Sequence, residues 1–237
     1  MFAIRSVIAY LAILGYIALA GPLALVVGGL FRSKGGMYAL GHGGVWLALA
    51  LTGIRYRVTG REQMPEADTA VIFCSNHESN VDPPVLFQAL HPRLHVLYKA
   101  ELHKVPLMGT LFDLGGFVPV DRRDREKSMV SISRGAASLK AGNSFLIFPE
   151  GTRSGTGQLL PFKKGGFIMA IEAQVPVVPV GVRGGRDAMR KGSAFVRPVT
   201  VSVRIGQAIA TTGLTLDDRD ALIERVRQQI EQLVELE

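Results

Sequence analysis

The order of apolar and polar positions divides the chain into two unlike parts. Residues 7–30 carry no charged side chain over 24 positions, and residues 37–53 form a second uncharged stretch of 17 positions. A helix of the first length spans about 36 Å, which is enough for a hydrocarbon core of about 30 Å, whereas the second stretch, at about 25 Å, is short for a crossing. The pattern therefore predicts two apolar helices at the N-terminus.

A short basic turn, Arg32-Ser-Lys34, joins these two stretches. We predict a membrane-associated two-helix hairpin over residues 1–54, with its first helix ended or kinked at Gly21-Pro22 because proline removes a backbone donor. The alternative, a buried helix pair of a soluble protein, fits poorly because soluble helices carry a polar face.

From residue 55 onwards, short β-rich runs alternate with longer runs of helical period. This alternation is typical of an α/β domain, and we predict a mostly parallel twisted sheet flanked by helices over residues 55–237. The predicted strands are 55–58, 70–74, 94–99, 116–120, 144–148, 177–182 and 199–205. The predicted helices are 83–90, 105–114, 126–141, 164–173 and 217–236.

Composition narrows the class of protein further. The chain has 237 residues, 48% hydrophobic and 20% charged, so it is long enough for a real core and is neither disordered nor fibrous. The one cysteine, Cys74, cannot form an internal disulfide, and the five histidines show no metal-binding spacing. We expect no metal and no cofactor.

Charge is concentrated in two segments. Residues 1–54 hold three basic and no acidic side chains, and residues 153–206 hold nine basic and two acidic ones. Such a surface can meet nucleic acid, anionic lipid or a phosphorylated substrate. Because no nucleic-acid-binding motif accompanies it, lipid or phosphate is favoured and nucleic acid is not expected.

The first candidate site is the segment from Asn76 to Asp82, directly after an apolar strand. On one helix His77 and Asp82 would lie about 140° apart, so a functional pair requires that they straddle a turn. Asp82 before Pro83 is typical of a helix N-cap. A loop could still fold the carboxylate onto the imidazole, which is the arrangement that deprotonates a hydroxyl. A capping aspartate beside a surface histidine is the alternative.

Three further blocks follow. Glu150-Gly151-Thr152-Arg153 also comes after an apolar strand and offers hydroxyls and a bidentate fork for phosphate, although it could be only a glycine-rich turn. Lys99 and Arg122 each follow a predicted strand. Residues 175–180 are apolar, typical of core or of a surface for an acyl chain.

In these four ordered blocks the sequence resembles the glycerolipid acyltransferase family, specifically the 1-acylglycerol-3-phosphate acyltransferases. The resemblance covers about residues 70–185. It implies an α/β fold behind an N-terminal helix pair, with His77 and Asp82 as catalytic residues. It also implies substrate binding by Asn76, Lys99, Arg122, Glu150, Gly151, Thr152 and Arg153.

The implied activity is transfer of a fatty acyl group from acyl-CoA or acyl carrier protein to the sn-2 hydroxyl of 1-acylglycerol 3-phosphate, giving phosphatidic acid. The expected place is the cytoplasmic face of the inner membrane, against an anionic lipid surface. Two alternatives stay open: another acceptor, such as a lyso-ornithine lipid, a lysophospholipid or glycerol 3-phosphate, and a non-catalytic protein that binds anionic lipid.

Overall fold

The computed structural model describes residues 2–66, 68–90, 93–121 and 123–236. Over these residues a seven-stranded sheet is formed by β1 Arg55–Thr59, β2 Ile72–Ser75, β3 Leu94–Lys99, β4 Val118–Val120, β5 Ser144–Ile147, β6 Val177–Arg183 and β7 Thr200–Ile205. The helices are α1 Phe2–Leu25, α2 Lys34–Thr52, α3 Asp82–Ala89, α4 Met108–Gly115, α5 Arg125–Lys140, α6 Gly165–Ala173, α7 Gly185–Ala188 and α8 Arg219–Glu235. Every predicted strand and helix has a counterpart, and the short α7 was not predicted.

The strand order is β1-β7-β6-β2-β5-β3-β4. The five strands β6, β2, β5, β3 and β4 are paired in parallel, whereas β7 runs antiparallel to β6 and pairs in parallel with β1. The prediction of a mostly parallel sheet flanked by helices is confirmed. The carboxyl ends of β2, β5, β3 and β4 therefore meet at one edge, where α/β proteins bind their ligands.

The central strands are apolar on both faces because helices cover both faces of the sheet. All four residues of β2 and of β5 are buried. One cluster of buried side chains includes Phe73 and Leu86 of α3, and the other includes Phe145 and Phe167 of α6. Burial from both sides fixes the ends of β2 and β5, and with them the loops that follow.

The N-terminal helices form an antiparallel hairpin. Tyr16 donates to the carbonyl of Leu40 at 2.7 Å, and Arg5 donates to the carbonyl of Leu51 at 2.7 Å. The expectation that Gly21-Pro22 ends the first helix is wrong, since α1 continues through Pro22 and a π-helical segment, Val26–Leu30, follows it. Pro22 has no N–H to donate, and the residues on both sides of it are helical nonetheless.

The hairpin lies along the α/β part of the chain. On α2, Tyr38 donates to the carbonyl of Gly115 at 2.9 Å, and His42 stacks on Phe87 at a centroid distance of 4.3 Å. On α1, the hydroxyl of Ser6 accepts from the amide of Val196 at 2.9 Å. Both helices are thus held against the sheet and its covering helices.

Candidate active site

Two loops at the carboxyl edge of the sheet carry most of the candidate residues. The first follows β2 and runs from Asn76 to Asp82, and the second follows β5 and runs over residues 148–160. Because β2 and β5 are parallel neighbours, with Cys74 opposite Ile147, both loops leave the sheet at the same point. The structure thereby brings together motifs that lie about 70 positions apart in the chain.

The imidazole of His77 is bonded to the carboxylate of Asp82. Nδ1 lies 2.9 Å from Oδ2, the same oxygen accepts from the amides of Glu78 and Ser79 at 2.7 Å each, and Asp82 is fully buried. Because the carboxylate oxygen accepts from Nδ1–H, the neutral form of the ring has its lone pair on Nε2. The ring stacks on Phe148 at 4.2 Å, so the orientation of His77 is fixed from two sides.

The interpretation of Asp82 as a helix cap is wrong. Asp82 is the first residue of α3, Val81 stands at the N-cap, and no side-chain cap bond is formed. Pro83 and Pro84 follow, and neither has an N–H to donate. The carboxylate therefore turns back into the loop and bonds to residues 77–79.

The second oxygen of Asp82 lies in a confined place. Among the described residues, no hydrogen-bond donor reaches Oδ1. A Cβ at position 185 would overlap with Oδ1, so the close approach of α7 to the carboxylate requires glycine there. Gly185 thus confines the carboxylate of Asp82 on the side of Oδ1.

Glu78 is a buried carboxyl beside this pair. Burial, and after it the negative charge of Asp82, raise the pKa of Glu78 to about 7. Neither Glu78 nor Gly185 was among the residues predicted for the site. The signal for Glu78 was its position in the motif loop next to His77, whereas Gly185 had no local signal.

Glu150 ties the two loops together. Its Oε1 accepts from the amide of His77 at 2.8 Å, and its Oε2 accepts from the amide of Leu160 at 2.9 Å. The carbonyl of His77 accepts in turn from the amide of Ser154 at 2.8 Å. Burial raises the pKa of Glu150, and the two amides oppose that rise. Both oxygens of this buried carboxyl are therefore bonded to the main chain.

Asn76 is also turned towards the protein. Its amide group donates to the carbonyl of Val182 at 2.8 Å and accepts from the amide of Val182 at 2.7 Å. The side chain is buried and pins the loop after β2 to the end of β6. Two expected substrate ligands, Asn76 and Glu150, thus contact the chain's own backbone.

The three residues that follow Glu150 are partly or fully exposed. Gly151 has a φ of +67°, Thr152 is exposed and Arg153 is partly exposed. The carbonyl of Arg153 accepts from Nζ of Lys191 at 3.1 Å. Among the described residues no ion pair holds the guanidinium of Arg153, so it can meet an anion beside His77.

Lys99 is the last residue of β3, on the same edge. It forms an ion pair with Glu101 at 3.1 Å, and both side chains are about half exposed. β3 lies two strands from β2, which corresponds to about 10 Å across the sheet. Arg122, the other basic residue expected here, lies outside the described residues.

Comparisons with known proteins agree on one family. The family described as Acyltransferase matches residues 55–183. Human 1-acyl-sn-glycerol-3-phosphate acyltransferase beta is 36% identical over 73% of this chain and 62% of its own length. The Saccharomyces cerevisiae 1-acyl-sn-glycerol-3-phosphate acyltransferase is 33% identical over 76% of this chain and 60% of its own length. The chain thus spans a little under two thirds of the length of these curated relatives.

A solved structure extends the likeness beyond the sheet. The crystal structure of the 1-acyl-sn-glycerophosphate (LPA) acyltransferase PlsC from Thermotoga maritima matches with a TM-score of 0.78 at 25% identity. The match covers 100% of this chain and 99% of that chain, so it includes the helical hairpin.

Proposed function

Because the chain belongs to the acyltransferase family, we propose that it is a 1-acylglycerol-3-phosphate acyltransferase. It moves a fatty acyl group from a thioester, either acyl-CoA or acyl carrier protein, to the sn-2 hydroxyl of 1-acylglycerol 3-phosphate. The products are phosphatidic acid, for phospholipid biosynthesis, and the free thiol. The printed names of the relatives support this acceptor. The thioester is a substrate, and no resident cofactor or metal takes part.

The His77–Asp82 pair is the observation that carries the proposal. Nε2 of His77 removes the proton of the acceptor hydroxyl, and the oxygen attacks the thioester carbonyl. Asp82, 2.9 Å from Nδ1, stabilises the imidazolium that forms. When the tetrahedral intermediate collapses, the C–S bond breaks and the imidazolium returns its proton to the thiolate.

The acyl group passes directly from donor to acceptor. No hydroxyl of the two loops is hydrogen-bonded to the imidazole of His77 among the described residues, so none is placed as an activated nucleophile. An acylated enzyme that accumulated with donor alone would contradict direct transfer.

Three basic residues bind the acceptor phosphate. We assign this role to Lys99, Arg122 and Arg153, with Gly151 and Thr152 shaping the approach beside them. Asn76 and Glu150 do not touch the acceptor in this scheme. Their bonds to Val182, His77 and Leu160 hold in place the loops that carry the substrate-binding residues.

The test is lipid mass spectrometry of reactions with defined substrates. The purified protein receives one acyl-CoA or acyl carrier protein donor and a panel of lysophosphatidic acid, lysophospholipids, lyso-ornithine lipid and glycerol 3-phosphate. We expect phosphatidic acid from lysophosphatidic acid as the main product. Preference for another acceptor would reassign the substrate, and vesicle binding without any His77-dependent product would indicate a lipid-binding protein instead.

Arg153→Ala should chiefly weaken binding of the acceptor. A charge-assisted hydrogen bond contributes about 1.5–3 kcal/mol, so losing the guanidinium should raise the acceptor KM at least about tenfold and leave the donor KM unchanged. Steady-state kinetics with each substrate varied in turn measures both values. An acceptor without phosphate should be nearly insensitive to the change, and an equal penalty on both acceptors would remove Arg153 from the phosphate site.

We further propose that residues 1–54 form a membrane-associated unit and residues 55–237 the catalytic domain. The helical stretch Phe2–Leu30 is long and apolar enough to cross a membrane, and its most apolar window is only 11% buried. Because both helices pack along the α/β part, the hairpin lies flat in the cytoplasmic leaflet rather than standing across the bilayer. Arg5 at its open end and Arg32 at its turn then meet one anionic surface.

Cysteine labelling at the turn tests this placement. Cys74 is fully buried, so the unmodified chain is the unlabelled control for Ser33→Cys. In intact cells, an impermeant thiol reagent added outside should leave Ser33→Cys unmodified, because the turn stays in the inner leaflet. Efficient modification from outside would establish a full crossing and contradict the flat hairpin.

A further inference from the structure

Arg227 of α8 reaches the loop that holds Glu150. Its guanidinium donates to the carbonyl of Leu160 at 2.9 Å and to the carbonyl of Leu159 at 3.3 Å. The group also lies over the ring of Phe162 at 5.4 Å. Helix α8 comes after all four motifs in the chain, yet Arg227 contacts the last two residues of the second loop and the ring of Phe162 just beyond it.

The contact with Leu159 is linked to the candidate site through one peptide group. The carbonyl of Leu159 and the amide of Leu160 belong to the same peptide unit. Its carbonyl accepts from Arg227, and its N–H donates to Oε2 of Glu150 at 2.9 Å. Hydrogen bonds in such a chain polarise and strengthen one another. Oε1 of Glu150 then holds the amide of His77 at 2.8 Å.

We propose that Arg227 is a positioning residue of the active site, which sets the place of His77 through Leu160 and Glu150. The role rests on the function proposed above, and Arg227 itself touches no reacting atom. Positioning matters because a displacement of about 1 Å at a reacting group can cost about 100-fold in rate.

The chemistry of arginine fits this role. A planar guanidinium can donate to two carbonyls in a fixed fork while it stacks on an aromatic ring, whereas lysine is a single point donor. An ion pair with Glu231 at 3.0 Å, on the next turn of α8, steadies the same side chain. The positive charge of Arg227 also opposes the rise that burial imposes on the pKa of Glu150.

The chain offers a matched control on the same helix. Arg225 is exposed, two positions before Arg227. We expect Arg227→Met to lower kcat about 10- to 100-fold with an unchanged donor KM, and Arg225→Met to stay within about twofold of the original enzyme. Arg227→Lys should recover part of the loss, because lysine can reach only one of the two carbonyls. Thermal unfolding confirms that each variant is folded at the assay temperature.

A second measurement is independent of catalysis. Amide hydrogen exchange followed by mass spectrometry should show faster exchange at Leu160 and His77 in Arg227→Met than in Arg225→Met. Equal exchange, or a kcat for Arg227→Met equal to that of Arg225→Met, would overturn the positioning role. If the original chain formed no phosphatidic acid, the proposed function would fail, and the exchange result would still decide whether Arg227 orders the loop.

Discussion

Replacing His77 by alanine is expected to lower kcat by about 100- to 10,000-fold, which is the usual contribution of a general base. Nε2 is the ring nitrogen of His77 that is not bonded to Asp82, so its lone pair is available to take the proton of the acceptor hydroxyl. Formation of phosphatidic acid at saturating donor and acceptor measures the effect. The acceptor KM should change little, because the phosphate contacts belong to other residues.

The fold should survive the loss of the imidazole. The main-chain bonds of His77 to Glu150 and Ser154 do not involve its side chain. Asp82 keeps the amides of Glu78 and Ser79 and loses one donor of three, which costs about 1–3 kcal/mol. His103→Ala is a matched control and should leave kcat unchanged, since His103 lies on the short 3-10 helix Ala100–Lys104 that follows β3. Turnover by His77→Ala within tenfold of the original would contradict its role as base.

Changing Asp82 to asparagine is expected to lower kcat by a similar factor, about 100- to 10,000-fold. An amide cannot stabilise the imidazolium as a carboxylate does. If its oxygen keeps the amides of Glu78 and Ser79, its NH₂ group takes the place of Oδ1, which has no hydrogen-bond partner among the described residues and lies close against Gly185. That buried donor should also lower the free energy of unfolding by about 1–3 kcal/mol.

Steady-state kinetics and denaturant unfolding of Asp82→Asn separate the two effects. Reduced stability with normal turnover would assign Asp82 a purely structural part. The double change with His77→Ala should be hardly slower than either single change, because two residues that act as one unit give non-additive losses. Fully additive losses would show that the two side chains work independently.

Much of this architecture can be derived from local patterns. Apolar runs of four to seven residues, each followed by a charged or glycine-rich loop, mark the strands 144–147 and 177–183 because burial on both faces requires such runs. His77 and Arg153 each follow such a strand. Because the carboxyl ends of parallel strands lie at one edge of the sheet, this alone predicts that the two residues lie at the same edge. The uncharged stretches likewise predicted both helices of the hairpin.

At two positions the local sequence pattern predicted the wrong structure. Asp82 before Pro83 has the sequence of a helix N-cap. In the structure its carboxylate bonds instead to His77 in the preceding loop. Pro22 has the sequence of a break, and α1 passes through it. The carboxylate of Asp82 bonds to residues 77–79 of the preceding loop, and Gly185, from a distant part of the chain, lies against its other oxygen.

The sequence by itself therefore determined the order of the elements, the edge of the sheet that carries the site and the residue types gathered there. Only the tertiary structure decided which atoms meet. Asn76 bonds to Val182, Gly185 closes on Asp82, and Arg227 bonds to Leu160, across separations of 106, 103 and 67 positions. Such contacts leave no periodic signal in the sequence, because each depends on the relative placement of two whole elements rather than on the residues next to it.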